Sequence, residues 1–247
     1  MAIIKNGKIR GKVGNAIYRV VGDKEIVQSA PKKYELTENS KIESNRFGKA
    51  SKLASKIYRS VKDFALNCVK ETFYRELVTL FRGLQSFDFY NLDGGENIPW
   101  TLIPKTEALA INKVVEVDAI LGSYPTATFD NDRCTIQIPE FDMNKVKGKL
   151  PTGTGFIEFT ASVLHHYSEI GVYSTCNYSS ELLSIYDVIP EQEITLPVEW
   201  ASDDLDEGLV VVCFGLRFYA NLNSRRDLNT MTYNPSAILG IWYKKEV

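Results

Sequence analysis

The sequence predicts an α+β protein, mainly β. An N-terminal β-hairpin and a long helical segment precede a C-terminal antiparallel β-sandwich. Three observations carry that prediction. Glycines at 7, 11, 14 and 22 break residues 1–31 into short β-prone pieces. No proline interrupts residues 32–98, and apolar residues recur there at helical spacing. From residue 113 onward, short alternating or apolar runs are separated by clusters of Pro, Gly, Asn and Asp. The chain accordingly divides into a hairpin arm (1–36), a helical segment (37–85), a linker (86–112) and a β-sandwich domain (113–247). No βαβ alternation appears, which argues against a doubly wound sheet.

In the arm, Ala16-Ile17-Tyr18-Arg19-Val20-Val21 and Glu25-Ile26-Val27 flank the turn pair Gly22-Asp23. A two-stranded hairpin alone is marginal in water. It must therefore rest on the remainder of the chain or on another chain, and its open edge is a template for strand addition. Ile17, Tyr18, Val20 and Ile26 are the candidate strand contacts. Lys12, Arg19, Lys24, Lys32 and Lys33 are the charges that would steer such a contact.

The helical segment follows Pro31. Thr37, Asn39 or Ser40 can serve as N-cap, with Glu43 three residues after Ser40 in the manner of a capping box. Apolar positions recur at Ile42, Phe47, Ala50, Leu53, Ala54, Ile57, Val61, Phe64, Ala65 and Cys68. That stripe packs on a sheet or on another helix. Lys49, Lys52, Lys56 and Arg59 lie on the opposite side and form a candidate nucleic-acid face. A second run passes through Phe73, Leu77, Leu80 and Phe81, and Gly83 offers a stop. One long helix and two helices both satisfy the pattern.

The linker is rich in aromatic residues (Phe87, Phe89, Tyr90, Trp100) around Asp93-Gly94-Gly95. Strands are expected at 113–121, 132–138, 155–164, 169–176, 182–188, 193–198, 208–220 and 236–245. The long run from Gly208 reads as a central strand with a bulge at Gly215.

Composition excludes several classes. With 247 residues, 44% hydrophobic and 24% charged, the chain is long enough to build a core without disulfides or metal. No membrane-length apolar run and no signal-peptide pattern occurs, so a cytoplasmic protein is expected. Cys68, Cys134, Cys176 and Cys213 are dispersed and read as reduced thiols. The only histidines, His165 and His166, are adjacent, and strand neighbours point to opposite faces. They make a poor metal pair and a poor catalytic base. Pro151-Thr152-Gly153-Thr154-Gly155 lacks the Lys-Ser/Thr pair of a phosphate loop and reads as a turn. Two acidic clusters, Asp88/Asn91/Asp93 and Asp203/Asp204/Asp206/Glu207, lack EF-hand spacing. No catalytic, cofactor or metal residue is therefore assigned, and no enzyme is expected.

Charge is unevenly placed. Residues 1–60 hold 14 Lys/Arg and 5 Asp/Glu, while residues 61–247 hold 15 and 26. A basic segment on an acidic body calls for an electrostatic partner, either nucleic acid or the acidic body of another copy.

Asn6-Gly7, Gly11-Lys12-Val13-Gly14, Gly22, Ile26-Val27, Ser29, Pro31-Lys32, Thr37 and Arg46-Phe47 carry a resemblance. In these residues the chain resembles an uncharacterised domain-of-unknown-function family of Bacteroidota proteins. The likeness is densest over residues 1–60 and continues around Ile194-Thr195-Leu196-Pro197 and Leu209-Val210-Val211. Gln28 departs from an arginine usual in that family, and a helix glutamine is missing near Ser40-Lys41. The resemblance implies a hairpin, a helical segment and a C-terminal β domain. It implies no activity. The hairpin-then-helix opening is also similar to small structural proteins of phage particles.

The functional expectation is a non-enzymatic structural or assembly protein, a subunit of an oligomeric particle such as a phage-like virion or a filament. It would dock through its basic arm onto other copies or assembly partners, without cofactor or membrane. Two alternatives stay open: a nucleic-acid-binding module using the arm and the helix face, and a β-sandwich that binds a ligand such as a carbohydrate.

Overall fold

The computed structural model describes residues 2–5, 7–30, 35–84, 101–102, 106, 108–112, 114–130, 133–167, 173–198, 208–222, 227–230 and 233–244. In chain order the elements are β1 (Ile3–Lys5), β2 (Lys8–Val13), β3 (Ala16–Val21), β4 (Lys24–Ser29), α1 (Glu38–Phe64) and α2 (Phe73–Leu84). Then come β5 (Thr101–Leu102), β6 (Leu109–Ala110), α3 (Val117–Leu121), β7 (Thr126–Asp130), β8 (Arg133–Ile138) and β9 (Phe141–Asp142). The chain continues through β10 (Phe156–Tyr167), β11 (Tyr173–Ser179), β12 (Leu183–Ser184), β13 (Val188–Ile189), β14 (Gln192–Pro197), β15 (Gly208–Tyr219) and β16 (Ser236–Lys244). The molecule is α+β and mainly β, with an N-terminal hairpin, a long helix and C-terminal antiparallel sheets. It divides into two units, Met1–Asn45 and Arg46–Val247.

The first unit holds an antiparallel meander in the order β1-β2-β3-β4. The expected hairpin is its β3–β4 half, and two further strands extend it. Turns at Gly14-Asn15 and Gly22-Asp23 close the two hairpins, with Gly14 at φ 55° and Gly22 at φ 60°. Positive φ is what a tight turn matching strand twist requires, and glycine reaches it without steric cost.

Helix α1 begins in the first unit. Its N-cap is Thr37, whose Oγ1 accepts from the Ser40 backbone N–H at 3.2 Å. The Ser40–Glu43 box is therefore not the cap. Twenty-seven residues make a helix of about 40 Å. The helical segment is two helices, not one, and the break falls where no glycine or proline stands. Asn67 N–H bonds to Lys62 O and Leu66 N–H to Asp63 O, the pair of contacts of a Schellman end. Leu66 (φ 52°) and Asn67 (φ 63°) take left-handed conformations. Asparagine tolerates this, whereas leucine does so at a steric cost. Gly83 lies inside the last turn of α2 and is not its stop.

The second unit has three layers. Its middle is a sheet in the order β11-β10-β15-β16-β5, with β12 and β6 pairing at β10 and β16. One face carries Ile157, Phe159, Ala161, Val163, Val210, Val212, Phe214 and Leu239. They pack against Cys134, Ile136, Ile138, Ile194 and Leu196 of the three-stranded sheet β14-β8-β7. The other face carries Leu164, Leu209, Val211, Cys213, Ile238 and Ile241. These meet Ala50, Ala54, Ile57 and Val61 of α1 and Phe73, Leu77 and Phe81 of α2. From Ala50 onward the amphipathic stripe thus lies on both a sheet and a helix, whereas Ile42 and Phe47 at its start are exposed. Each fully buried Ile, Leu or Phe contributes about 1.5–3 kcal/mol of transfer free energy. The helices are also joined by the Ser51–Tyr74 hydroxyl pair at 2.8 Å and by Tyr58 against Phe73 and Tyr74.

A sheet buried on both faces must keep its register, because a one-residue slip would exchange the two cores. The irregularity in this sheet lies between Val212 and Cys213, which pair with Gly240 and Ile238 and leave Leu239 as the extra residue. It keeps Val211 opposite Ile241 and Cys213 opposite Ile238 on the helix side. The bulge expected at Gly215 is not there, since Gly215 pairs in register with Thr160 and Ser236. Gly215 instead permits a close approach. A Cβ on it would meet Thr160 Oγ1 at 3.2 Å and the Phe64 ring at 3.4 Å.

Two further expectations are corrected. Of the strand expected at 113–121, the described residues 114–121 form none. Val117, Ile120 and Leu121 bury one side of α3, and Gly122 (φ 84°) caps it with an N–H to Asp118 O. The strand expected at 182–188 is two short ones, β12 and β13. Within the expected linker, Leu109–Ala110 pair with Ile238 and Ala237, and Thr106 Oγ1 accepts from Ile241 N–H at 3.1 Å. The aromatic residues Phe87, Phe89, Tyr90 and Trp100 lie outside the described residues. The Pro151 segment is a turn, with Thr154 N–H and Oγ1 both donating to Pro151 O.

Candidate functional site

The register sorts the arm residues onto two faces. Lys12 stands opposite Ile17, Arg19 opposite Ile26, and Lys24 opposite Val21. Opposed residues share a face, so Lys12, Ile17, Arg19, Ile26 and Lys24 lie together. Tyr18, Val20, Val13 and Val27 lie on the other face. The structure therefore brings three of the expected cations together with two of the expected contact residues, and it separates Tyr18 and Val20 from them. No described residue among 2–30 is buried. Val21 and Val27 are 61% and 57% exposed, and Ile3 and Ile4 more so. Lys32 and Lys33 lie outside the described residues.

On α1 the residues Lys49, Lys52, Lys56 and Arg59 form one stripe, opposite the buried Ala50, Ala54, Ile57 and Val61. Lys56 is half-buried and the other three are exposed. The expected basic face is thus present within α1 as a geometric stripe.

The second unit contains a cleft of about 590 Å³ that sequence reasoning missed. Its floor is the helix side of the central sheet at the β11 end: Thr160 and Ser162 of β10, Asn177 and Ser179 of β11, and Arg217 of β15. Its wall is the last turn of α1, with Ser60, Asp63 and Phe64. The spacing of those three puts them on one side of the helix. Thr160 Oγ1 donates to Gly215 O at 3.2 Å. Ser162 Oγ is buried and has no hydrogen-bond partner. Near Arg217, the Tyr219 hydroxyl donates to Glu158 Oε2 at 2.8 Å. Burial and this bond to a carboxylate push the Tyr219 phenol up to about 12. The sequence carries one trace of the cleft: Thr160 and Ser162 alternate as polar residues with the apolar Phe159, Ala161 and Val163.

His165 and His166 are both buried, on opposite faces of β10. No cluster of metal-ligating side chains occurs among the described residues. Both acidic clusters lie outside the described residues. None of the four cysteines is in a disulfide, and Cys176 alone is half-buried. Burial pushes the Cys134 thiol up to about 12 and raises those of Cys68 and Cys213 as well. Among the described residues no helix is long and apolar enough to cross a membrane. No protein-family model, curated protein or solved structure matches this chain.

Proposed function

We propose that this is a non-enzymatic assembly protein whose N-terminal sheet docks onto another copy of the same chain. One observation carries the reading: a four-stranded sheet that buries none of its described residues. A sheet that buries none of its side chains gains little from burial, and a partner surface supplies what it lacks. Charge favours a second copy as that partner. The first 60 residues carry an excess of nine positive charges and the remainder an excess of eleven negative ones. The cationic face with Lys12, Arg19 and Lys24 steers the encounter, and Ile17 and Ile26 supply apolar contact. Incorporation in a virion-like particle or filament, and membership of the Bacteroidota family that the N-terminal motif resembles, belong to the same proposal.

Light scattering coupled to size exclusion tests it. The full-length protein is expected to self-associate at low salt and to dissociate as salt rises. The variant Lys12→Glu/Arg19→Glu/Lys24→Glu is expected to stay monomeric in both conditions. A full-length protein that is monomeric at high concentration and low salt would refute the reading. A salt-sensitive complex with DNA or RNA, in a protein that does not self-associate, would shift it to the nucleic-acid alternative.

A further inference from the structure

We propose that the cleft between the end of α1 and strands β10, β11 and β15 binds a neutral polyhydroxylated ligand, a mono- or oligosaccharide. Its volume of about 590 Å³ lies within the range of small-molecule sites. The chemistry of its floor sets the class. Beneath the helices, this face of the sheet is apolar, with Leu209, Val211, Cys213, Ile238 and Ile241. Where the cover stops, it turns to hydroxyl and amide side chains: Thr160, Ser162, Asn177 and Ser179. Such groups both donate and accept, as sugar hydroxyls do. The two charges, Asp63 and Arg217, are opposite in sign, so the lining offers no net attraction to a charged ligand.

Ser162 sharpens the assignment. Its hydroxyl is buried without a partner, a state that costs stability and that structures rarely keep without a use. Serine moves between staggered rotamers, and this one breaks no hydrogen bond in doing so. A ligand hydroxyl entering over Asn177 supplies the missing partner. Phe64 provides an apolar surface at the wall for the C–H side of a sugar ring. Gly215 makes room for the Phe64 ring at that wall, since a Cβ there would press on both Phe64 and Thr160.

Saturation-transfer NMR on the full-length protein, with glucose, N-acetylglucosamine, maltotriose and chitotriose at millimolar concentration, is the test. Transfer to at least one sugar is expected. Ser162→Ala should weaken that binding about tenfold or more while leaving the thermal midpoint unchanged or higher. Asn177→Ala, at an exposed position, should weaken it as well and serves if Ser162→Ala folds poorly. Absence of transfer from all four sugars overturns the proposal. So does binding that both variants leave intact, or transfer from a Gly-Ser peptide with none from the sugars.

Discussion

The β1–β4 meander and the central β11-β10-β15-β16 sheet obey the same local rule and draw their stability from different sources. Both are antiparallel and both alternate. In the central sheet, alternate residues enter two separate cores, so register is enforced by burial on both sides. In the N-terminal sheet nothing described is buried, so register is held by its turns and backbone ladder. Alternation fixes which residues share a face, while the energy of that face depends on what covers it.

The largest expected effect sets these two sheets against each other. Phe214 is fully buried between the sheets, with its ring centroid 5.8 Å from that of Phe159. Phe214→Ala should destabilise the second unit by about 3–5 kcal/mol. Val27→Ser, in a strand of equal regularity, should shift the same urea transition by less than about 0.5 kcal/mol. Equal losses at the two positions would show that the N-terminal sheet has a core of its own, and the contrast would fail.

A smaller effect probes how the second unit fastens its helix layer to its sheet layer. Asn234 is buried and donates to Ala65 O at 2.6 Å, just past the end of α1. Its Oδ1 accepts from Asn229, which also bonds the Leu216 carbonyl and the Phe218 N–H. Asn234→Ala strands a carbonyl and an amide at once. A loss of about 1–3 kcal/mol is expected in the urea midpoint at unchanged slope. The N-terminal sheet has no equivalent buried polar tie among its described residues, so its cross-strand hydrogen bonds to side chains, such as Ile9 N–H to Glu25 Oε1, should be dispensable.

What was legible in the sequence follows the same division. The strands β8, β10, β14, β15 and β16 were readable because burial imposes a strong apolar pattern on them. The split between α1 and α2 was not, because the chain turns at Leu66 and Asn67 without a glycine. The α3 segment reads as a strand because Val114, Val115 and Val117 favour one, whereas packing of Val117, Ile120 and Leu121 selects a helical turn. Composition points to a bulge at Gly215, yet the ladder absorbs its extra residue at Leu239, which is apolar like its neighbours. The basic stripe on α1 was legible from spacing alone. The cleft was not, since it is made where a helix stops covering a sheet, and residues from positions 60, 162, 177 and 217 meet only after folding.

The smallest expected effect lies at the start of α1, within the first unit. Three residues could cap α1 by sequence, and only Thr37 does so, through the Ser40 N–H. Ser40 in turn contributes only a hydroxyl contact to Thr37 Oγ1 at 2.9 Å. Thr37→Ala should therefore cost about 1 kcal/mol of helix-start stability, a loss of about fivefold in amide-exchange protection over the first turn. Because the site is exposed, the urea midpoint of the second unit should not move. Ser40→Ala should leave that protection nearly intact. The reverse result, with Ser40 sensitive and Thr37 not, would assign the cap to the Ser40–Glu43 box. A shifted midpoint in Thr37→Ala would instead mean that the start of α1 is stabilised by the same cooperative core as its end.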